Sequence, residues 1–289
     1  MNILNEFLDK LYISKIRSIS RRLGFMKFYS LGKKIQTICK HVEYKKFHPQ
    51  SVGIRMGGYD ASFLVGDINE YTSLSMIKKD KKLIQYLIKY AKQGRSFWDI
   101  GANIGVYTIF LAKTIGDKGN VISFEPEEKC FKRLLQNIEY NKLANVKAFK
   151  IALGKENKKT KLRVSDHFSS GSHSLFPNPN SDNNFECYED IKVYNGDSFR
   201  KEQNISVPNI IKIDVEGAEE DVILGLSETL NNENCKVLLC EVHFSILETH
   251  GLTGVPLRIE DYLKSCGFQF QRWIDHSHLI VTKDDGIFH

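Results

Sequence analysis

The sequence of 289 residues lacks the features that mark membrane-embedded, fibrous or disordered proteins. No apolar run approaches the ~18 residues that a membrane-spanning helix needs, and the longest runs, such as residues 237–240, have the length of a strand. The N-terminus leads into no uninterrupted apolar segment, so a signal peptide is not expected. Internal repeats and low-complexity tracts are missing as well. With 42% hydrophobic residues, the chain can bury the core of a globular protein.

Cysteine is present but unpatterned. The six cysteines include no C-x-x-C pair, and they stand at positions 39, 130, 187, 235, 240 and 266. A chain of this length does not need disulfide bonds to be stable. We interpret them as free thiols in a reducing environment, which predicts a cytoplasmic protein without a disulfide framework or a zinc centre.

The net charge of +6 is unevenly distributed. Residues 1–50 carry 11 Lys and Arg against three Asp and Glu, whereas the remaining residues carry 30 against 32. A nearly neutral body argues against nucleic acid as a partner, because a nucleic-acid-binding protein needs a basic stripe across its functional face. The basicity belongs to an N-terminal arm.

The pattern of apolar residues divides the chain into three parts. Residues 1–50 form a basic, helical arm, with apolar positions at roughly helical spacing at Leu4, Phe7, Leu8, Leu11 and Ile19. Such an arm suits peripheral contact with an anionic membrane or an acidic partner, or packing as a helical cap. Residues 51–95, with strands in 52–65 and a helix over 82–91, form an N-terminal cap of the domain that fills residues 96–289.

Strands and helices alternate in this domain. Apolar strands are predicted at 96–100, 120–125, 146–153, 210–215 and 236–243, and amphipathic helices at 106–115, 127–142 and 219–226. This alternation predicts an α/β fold with a doubly wound, mostly parallel sheet. Residues 268–273 and 278–282 predict a hairpin that adds an antiparallel terminal strand.

Residues 155–207 interrupt this alternation and are predicted to be an irregular insertion. Ligands of doubly wound sheets bind beyond the carboxyl ends of the strands, so the insertion is placed to form a lid over a substrate or a surface loop. His173, in its serine-rich part, is a candidate substrate-binding residue.

The first chemical motif is the turn Gly101-Ala102-Asn103-Ile104-Gly105, which follows a strand and precedes a helix. Glycine lets the main chain turn sharply and approach a ligand closely. A nicotinamide-dinucleotide loop would follow G-x-G-x-x-G, but Asn103 and Val106 replace its second and third glycines. With Asp99 just before the turn, the loop suits a ligand that carries an ammonium group and no phosphates.

The second motif is Glu125, at the end of the next strand and 24 residues after Gly101. An acid at this place accepts hydrogen bonds from two ribose hydroxyls. NAD and S-adenosylmethionine (SAM) both contain such a ribose, so the glycine turn has to discriminate between them.

Charged residues cluster at two further strand ends. Lys212, Asp214 and Glu216 alternate with apolar residues and therefore share one side of a strand and its exit, and Glu241 and His243 end the following strand. Charges at such positions are costly unless they are paired or functional. A Lys–carboxylate pair, with acids such as Glu219 at a helix N-terminus, is the structural alternative.

Together these segments resemble the FkbM-type SAM-dependent methyltransferases over residues 52–283. The resemblance lies in DIGANIGVYT (99–108), FEP (124–126), ALG (152–154), Asp197, IKIDVEGAE (211–219) and Glu-x-His (241–243). It implies a class I, Rossmann-like methyltransferase fold and transfer of a methyl group from SAM to an oxygen of a sugar, a glycan, a glycolipid or another small molecule.

The resemblance also implies roles for single residues. Those expected to bind SAM are Asp99, Gly101, Asn103 and Gly105 at the methionine part, Glu125 at the ribose, and Ile151 and Ala152 at the adenine. His243 is the first candidate for the base that accepts the hydroxyl proton, because imidazole titrates near pH ~6.5, and Asp214 is the second. Glu241 is assigned to the same catalytic group, and Lys212 and Glu216 to the substrate. A divalent cation held by Asp214, Glu216, Glu241 and His243 is an alternative that is not expected.

Three other functions have sequence requirements of their own. Methylation of exocyclic amines of DNA bases would need an Asn/Asp-Pro-Pro-aromatic loop, which residues 214–217 do not provide. An NAD-dependent oxidoreductase would need the missing glycines. A non-catalytic module that binds SAM or a nucleoside fits the motifs, and only a turnover measurement would separate it from an enzyme.

Overall fold

A computed structural model describes residues 26–75, 77, 80–164 and 187–284, without the side chains of residues 26–36, 73 and 80. The predicted apolar positions Leu4 to Ile19 and the candidate His173 lie outside the described residues. Among the described helices, none is both long and apolar enough to cross a membrane.

The first part of the described chain is a long helix followed by a hairpin and two shorter helices. These elements are α1 (Met26–Phe47), β1 (Ser51–Met56), β2 (Tyr59–Leu64), α2 (Ile68–Ser75) and α3 (Asp80–Tyr90). Strands β1 and β2 form an antiparallel pair. The predicted division of the chain at residues 50 and 95 stays a prediction.

The remaining elements begin with strands and helices that alternate over residues 96–149, as the sequence predicts, and continue with three consecutive strands. In chain order they are β3 (Ser96–Ile100), α4 (Val106–Ile115), β4 (Asn120–Phe124), α5 (Glu128–Tyr140), β5 (Val146–Phe149), β6 (Ala152–Gly154), β7 (Lys158–Val164), β8 (Cys187–Asn195), α6 (Gly196–Glu202), β9 (Ile210–Ile213), α7 (Glu219–Leu224), α8 (Ser227–Asn231), β10 (Val237–Glu241), α9 (Phe244–Thr249), α10 (Val255–Ser265), β11 (Phe270–Trp273) and β12 (His278–Thr282).

Seven strands form the central sheet, in the order β11-β12-β10-β9-β3-β4-β5. The five strands from β10 to β5 run parallel, and β12 pairs antiparallel with both β10 and β11. This confirms the α/β fold with a mostly parallel sheet and an antiparallel terminal hairpin. Because β9 and β4 flank β3, the strand order reverses beside β3, which is where such sheets bind ligands.

Both faces of the sheet are covered. On β3, Phe97 packs into one core with Phe63 and Leu87 of the hairpin and α3, whereas Trp98 and Ile100 pack into the other core. Side chains of a strand alternate between faces, so two apolar layers require the near-continuous apolar strands seen in the sequence.

Two sequence predictions are wrong in this region. Residues 146–153 do not form one strand, because β5 ends at Phe149 and β6 leaves the central sheet to pair with β8. The described parts of the insertion 155–207, residues 155–164 and 187–207, are not irregular either. Strands β7 and β8 pair antiparallel, and β6, β8 and β7 form a separate three-stranded sheet. The alternation of single apolar residues with charges, as in Leu162 and Ile191, carried this signal.

Candidate active site

The turn after β3 is held tightly at the centre of the sheet. Gly101 has a φ of 77°, and a Cβ added to it would come within 1.8 Å of the Asp214 carbonyl oxygen. The N–H groups of Gly101 and Ala102 both donate to the Phe124 carbonyl at 3.0 Å. Only glycine fits this close approach of two main-chain segments.

Asn103 continues the turn in a left-handed conformation, with a φ of 50°. Its main-chain N–H donates to Oε2 of Glu125 at 2.8 Å. Gly105, with a φ of 91°, begins α4, and a Cβ there would meet Leu134 of α5 at 2.5 Å. Gly105 thus serves the packing of the turn against α5.

Asp99 lies behind the turn and lines neither cleft described below. It is fully buried, its Oδ2 accepts a hydrogen bond from Thr108 at 2.6 Å, and its Oδ1 lies 3.5 Å from Nζ of Lys212. In this structure Asp99 supports the turn from within the core, which differs from the predicted contact with a ligand.

Glu125 lies where β4 ends and is buried. Its Oε2 and Oε1 accept hydrogen bonds from the N–H groups of Asn103 and, at 2.9 Å, of Glu127. Burial raises the pKa of Glu125 to about 7, against the lowering effect of these two hydrogen bonds. The carboxyl is thus fixed in the position that the sequence predicts for ribose recognition.

A cleft opens next to Glu125. The predicted adenine neighbours Ile151 and Ala152 line it, together with Ile100, Gly101, Asn103, Phe124, Pro126, Leu153, Leu162, Ile191, Asp214, Val215, Glu216 and Ala218. Leu162 and Ile191 come from the three-stranded sheet and were not expected here. The cleft is mostly apolar with one deep carboxyl, as a nucleoside site requires. We call it the nucleoside cleft.

A second cleft of about 620 Å³ lies on the other side of the turn. The residues that line it are Leu74, Ile77, Gly101, Ala102, Asn103, Ile104, Val106, Tyr107, Lys212 and Asp214. Leu74 and Ile77 come from the segment that precedes β3, so this segment forms part of the site. Gly101, Asn103 and Asp214 line both clefts, which therefore meet at these residues.

Lys212 connects the turn with the end of β9. Its Nζ donates to the Gly101 carbonyl at 2.7 Å and lies 3.2 Å from Oδ2 of Asp214. Burial alone would lower the pKa of Lys212, but the charges of Asp214 and Asp99 raise it above its ordinary value. Lys212 stays a cation and keeps Asp214 in place beside the turn.

His243 lies just beyond β10, among three carboxylates. Its Nδ1 is 2.6 Å from Oε1 of Glu219, and its Nε2 is 3.4 Å from Glu216 and 3.7 Å from Asp214. Burial would lower the pKa of His243, but the hydrogen bonds to Glu216 and Glu219 and the charge of Asp214 raise it to about 11. At neutral pH this imidazole already carries a proton.

The turn that carries these acids is conformationally unusual. Glu216 has a φ of 52°, and Gly217 follows with a φ of 101°. A non-glycine residue in this region costs energy and is found at functional sites more often than elsewhere. Glu219, fully buried, accepts from the Gly217 N–H at 2.9 Å and thereby fixes both the turn and the His243 ring.

Glu241 does not join this group. Its Oε2 lies 3.2 Å from Nε2 of His278, its partner in the register between β10 and β12. Among the described residues, the group that brings metal-ligating atoms together is Asp214, Glu216 and His243, whose atoms lie within 4.8 Å of one another. The sequence analysis placed Glu241 in one set with these three residues, and the structure separates Glu241 from them.

Comparison with known proteins identifies similar chains. The family described as the methyltransferase FkbM domain matches residues 99–270, and that of the protein-L-isoaspartate O-methyltransferases matches residues 25–157. The hexuronic acid methyltransferase AglP of Haloferax volcanii is 26% identical over 191 residues, which are 66% of this chain and 74% of that protein. Methyltransferase 1 of Beauveria bassiana is 27% identical over 161 residues, 50% of this chain and 64% of that protein.

Among solved structures, the FkbM methyltransferase from Methylobacillus flagellatus KT is similar over 75% of this chain and 56% of that chain. The TM-score is 0.45 at 13% identity. The chain described here thus spans little more than half of that protein.

Proposed function

The chain belongs to the methyltransferase FkbM domain family and is a SAM-dependent methyltransferase, and we propose that it methylates a hydroxyl group of a saccharide. The observation that carries this proposal is the meeting of the two clefts at Gly101, Asn103 and Asp214. A methyl transferase has to present a donor and an acceptor to each other in line. Two clefts that are lined by the same three residues where they meet can hold the donor and the acceptor next to each other in this way.

The donor fits the nucleoside cleft. Glu125 would accept hydrogen bonds from the ribose hydroxyls, and Ile151, Leu162 and Ile191 would enclose the adenine. The methionine part would follow the main chain of Gly101 and Asn103 toward Asp214. This orientation brings the sulfonium to the place where the clefts meet, beside the carboxylate of Asp214, which favours a cation.

In the reaction, the acceptor oxygen forms a bond to the methyl carbon while the bond between this carbon and sulfur breaks. The sulfur keeps the electron pair and becomes a thioether, and the hydroxyl proton has to leave. We propose that Asp214 accepts this proton, because its carboxylate lines both clefts. The role of His243 as base stays a prediction, but an imidazole with a pKa of about 11 holds its own proton at neutral pH.

The saccharide acceptor is supported by the similarity to AglP, which is described as a hexuronic acid methyltransferase. Lys212 and Tyr107 line the second cleft as a cation–π pair, with Nζ 5.2 Å from the ring centroid, and the acceptor would bind beside this pair. Glu216 lines the nucleoside cleft and lies next to Asp214. A contact between Glu216 and the substrate, which the sequence predicts, would therefore take place where the two clefts meet.

The test uses SAM with a labelled methyl group and a set of uronic acids, neutral sugars and saccharide lipids. We expect label in the saccharide, and we expect Asp214→Asn to lower kcat by at least ~100-fold while SAM binds within a few fold of wild type. Asp221→Asn, on α7 outside both clefts, is the control. SAM binding without label in any hydroxylated acceptor would support a binding module and contradict the proposal.

We also propose that the N-terminal arm contacts an anionic membrane surface. Helix α1 exposes Ile38, Val42 and Phe47, with Lys45 and Lys46 in its last turn, and residues 1–50 have an excess of eight positive charges. Apolar side chains beside lysines suit the interface of an anionic bilayer. The side of α1 that faces away from Ile38 and Val42 packs on the domain through Tyr44 and Tyr71, whose ring centroids are 5.6 Å apart.

Co-sedimentation with vesicles of anionic lipid tests this contact. We expect binding at low salt that is weakened in Val42→Ser and in Lys45→Glu/Lys46→Glu. Vesicles of zwitterionic lipid are the control. Equal sedimentation of the wild type and the variants would show that α1 does not carry the contact.

We also propose that the protein works in a reducing compartment, because the structure pairs none of the six cysteines.

A further inference from the structure

We propose that Asp214, Glu216 and His243 form a binding site for a divalent metal ion at the junction of the two clefts. The inference rests on the proposed function only in its use for the acceptor hydroxyl, and not in the site itself. Four features of the structure carry it: the distances between the ligand atoms, the orientation of the imidazole, the conformation of the acidic turn, and the position of the site.

The distances fit one ion. Metal–ligand bonds of about 2.1 Å place neighbouring ligand atoms about 3 to 4 Å apart. Nε2 of His243 lies 3.4 Å from Oε2 of Glu216 and 3.7 Å from Oδ1 of Asp214. All three ligand atoms lie within 4.8 Å of one another.

The imidazole is oriented as a ligand. Nδ1 of His243 lies 2.6 Å from Oε1 of Glu219, so an N–H on Nδ1 donates to this carboxylate. A metal ion that binds Nε2 displaces the second proton of the imidazolium, which leaves to water. A carboxylate behind a histidine is the usual arrangement at metal sites, because it fixes the ring and makes the nitrogen more basic. Glu219 is fully buried, and its Oε2 has no hydrogen-bond partner in the described structure.

The main chain of the acidic turn also holds the ligand residues close together. Glu216 has a left-handed main-chain conformation and is followed by Gly217, and its Oε2 lies 3.4 Å from Nε2 of His243. The other oxygen of Asp214, Oδ2, is held by Lys212 at 3.2 Å, so Oδ1 is directed at the imidazole. Each of the three ligands is thus fixed by a separate neighbour: Lys212, the turn itself, or Glu219.

The position of the site places a bound metal ion where it can act on the acceptor hydroxyl. Three protein ligands leave coordination positions open, as catalytic metal sites require. Asp214 lines both clefts and Glu216 lines the nucleoside cleft, so an ion held by these two carboxylates lies beside the place where an acceptor oxygen has to lie. A bound cation would lower the pKa of a coordinated hydroxyl, whose proton would leave to water, and Asp214 would then be a metal ligand in place of the proton acceptor proposed above.

The ligand set also selects among metals. Two carboxylate oxygens and one imidazole nitrogen suit Mn²⁺ and Zn²⁺ better than Ca²⁺, which prefers six to eight oxygens. Mn²⁺ is the better probe, because its electron paramagnetic resonance signal separates bound from free ion.

The experiment uses the full chain, stripped of metal with a chelator and dialysed, and titrates Mn²⁺ alone. We expect one Mn²⁺ per chain, with affinity weakened by at least ~10-fold in Glu216→Gln and in His243→Gln. Glu220→Gln is the matched control, because Glu220 neighbours Glu219 but pairs with Arg258 at 2.6 Å. Circular dichroism and SAM binding show whether each variant is folded.

Two results would overturn the site: no Mn²⁺ or Zn²⁺ bound at millimolar concentration, or equal binding by the wild type and both folded variants. Methyl transfer is measured separately, with and without a chelator. Turnover that survives the chelator without metal binding refutes the metal site and leaves the proposed function intact. Metal bound by these residues without methylation of any saccharide supports the site and refutes the proposed function.

Discussion

The two sides of the glycine turn are formed by different kinds of chemical groups. The nucleoside cleft is formed by main chain and apolar side chains, with Glu125 as its one deep carboxyl. The junction at Asp214 is formed by charged side chains that hold one another, among them Lys212, Glu216 and His243. The first is fixed by the path of the chain, whereas the second depends on a balance of charges.

This difference determines which substitutions each side of the turn tolerates. Two main-chain segments in contact at Gly101 leave no room for adjustment, so the donor side responds to a single added carbon atom. Charged groups in a network can exchange partners, so the junction responds to charge and to bound cations. Variants on the two sides of the turn test this contrast, and we expect the largest loss of SAM affinity at Gly101.

Gly101→Ala should abolish SAM binding, raising Kd by at least ~100-fold, or about 2.8 kcal/mol. The added Cβ would lie 1.8 Å from the Asp214 carbonyl oxygen, and the φ of 77° is itself unfavourable for alanine. Calorimetry measures Kd. Gly58→Ala is the control, because Gly58 has a φ of 88° but open space around its Cβ position. Equal SAM affinity in both variants would show that the close contact at Gly101 is not needed.

Glu125→Gln should weaken SAM binding by about tenfold or more. Glutamine has one side-chain oxygen, but Glu125 accepts from the N–H groups of both Asn103 and Glu127. One of these donors loses its partner, at a cost of about 1–3 kcal/mol, and the ribose loses an acceptor. Unchanged SAM affinity would remove Glu125 from the donor site.

The same variant should change how stability depends on pH. The pKa of Glu125 is about 7 in the folded protein and 4.5 ordinarily, so between these values the folded chain binds more protons than the unfolded chain. This group therefore lowers the free energy of unfolding as pH rises from 4.5 to 7, by on the order of 3 kcal/mol, and has no further effect above. Urea unfolding of the ligand-free wild type and Glu125→Gln at pH 5 and pH 8 measures this. A difference independent of pH would contradict it.

Asn137→Ala should have a smaller effect on SAM affinity, within a few fold, together with a loss of stability of about 1–3 kcal/mol. Asn137 is fully buried on α5, accepts from the Leu64 N–H at 2.8 Å and donates to the Ile104 carbonyl at 2.9 Å. It connects the hairpin edge to the glycine turn.

Asn141→Ala is the matched variant, because Asn141 binds the N–H and carbonyl groups of Ser62 on the same edge and does not contact the turn. Urea unfolding should show a loss of stability for both variants, whereas calorimetry should show weaker SAM binding for Asn137→Ala alone. Equal SAM affinities would mean that the hairpin does not position the turn.

The donor side could be predicted from sequence because its parts are local. Gly101 to Gly105 form one continuous turn, and Glu125 ends the strand that follows. Their chemistry depends on chain direction and strand order, which the alternation of apolar segments makes visible. The family resemblance adds the same residues.

The junction could be predicted only in part. Asp214, Glu216 and His243 were identified as charged strand exits, but their partners depend on which strands are neighbours and in which register. The contact of His243 with Glu219 follows from the pairing of β9 with β10, and no local pattern shows it. Leu162 and Ile191 reach the nucleoside cleft for a similar reason, because the three-stranded sheet is set by β6 leaving the central sheet.

Glu241 gives the sharpest test of this limit and the smallest expected effect. The sequence places it with His243, whereas the register of β10 and β12 places it opposite His278, at 3.2 Å. We expect Glu241→Gln to lower kcat by less than tenfold, against the ~100-fold expected for Asp214→Asn. Labelled-SAM turnover measures both. A loss as large as that of Asp214→Asn would restore Glu241 to the catalytic group.

The pairing with His278 also predicts the pH range in which Glu241 contributes to stability. Burial would lower the pKa of His278, but Glu241 and Asp275 raise it to about 8. A histidine whose folded pKa is raised contributes fully below its ordinary value of 6.5 and loses this contribution as pH rises through 8. Glu241 is partly exposed, so the contribution is at most ~1 kcal/mol. Unfolding of wild type and Glu241→Gln should therefore differ at pH 6 and converge above pH 9, and a difference that persists at pH 9 would mean that Glu241 acts through a group other than His278.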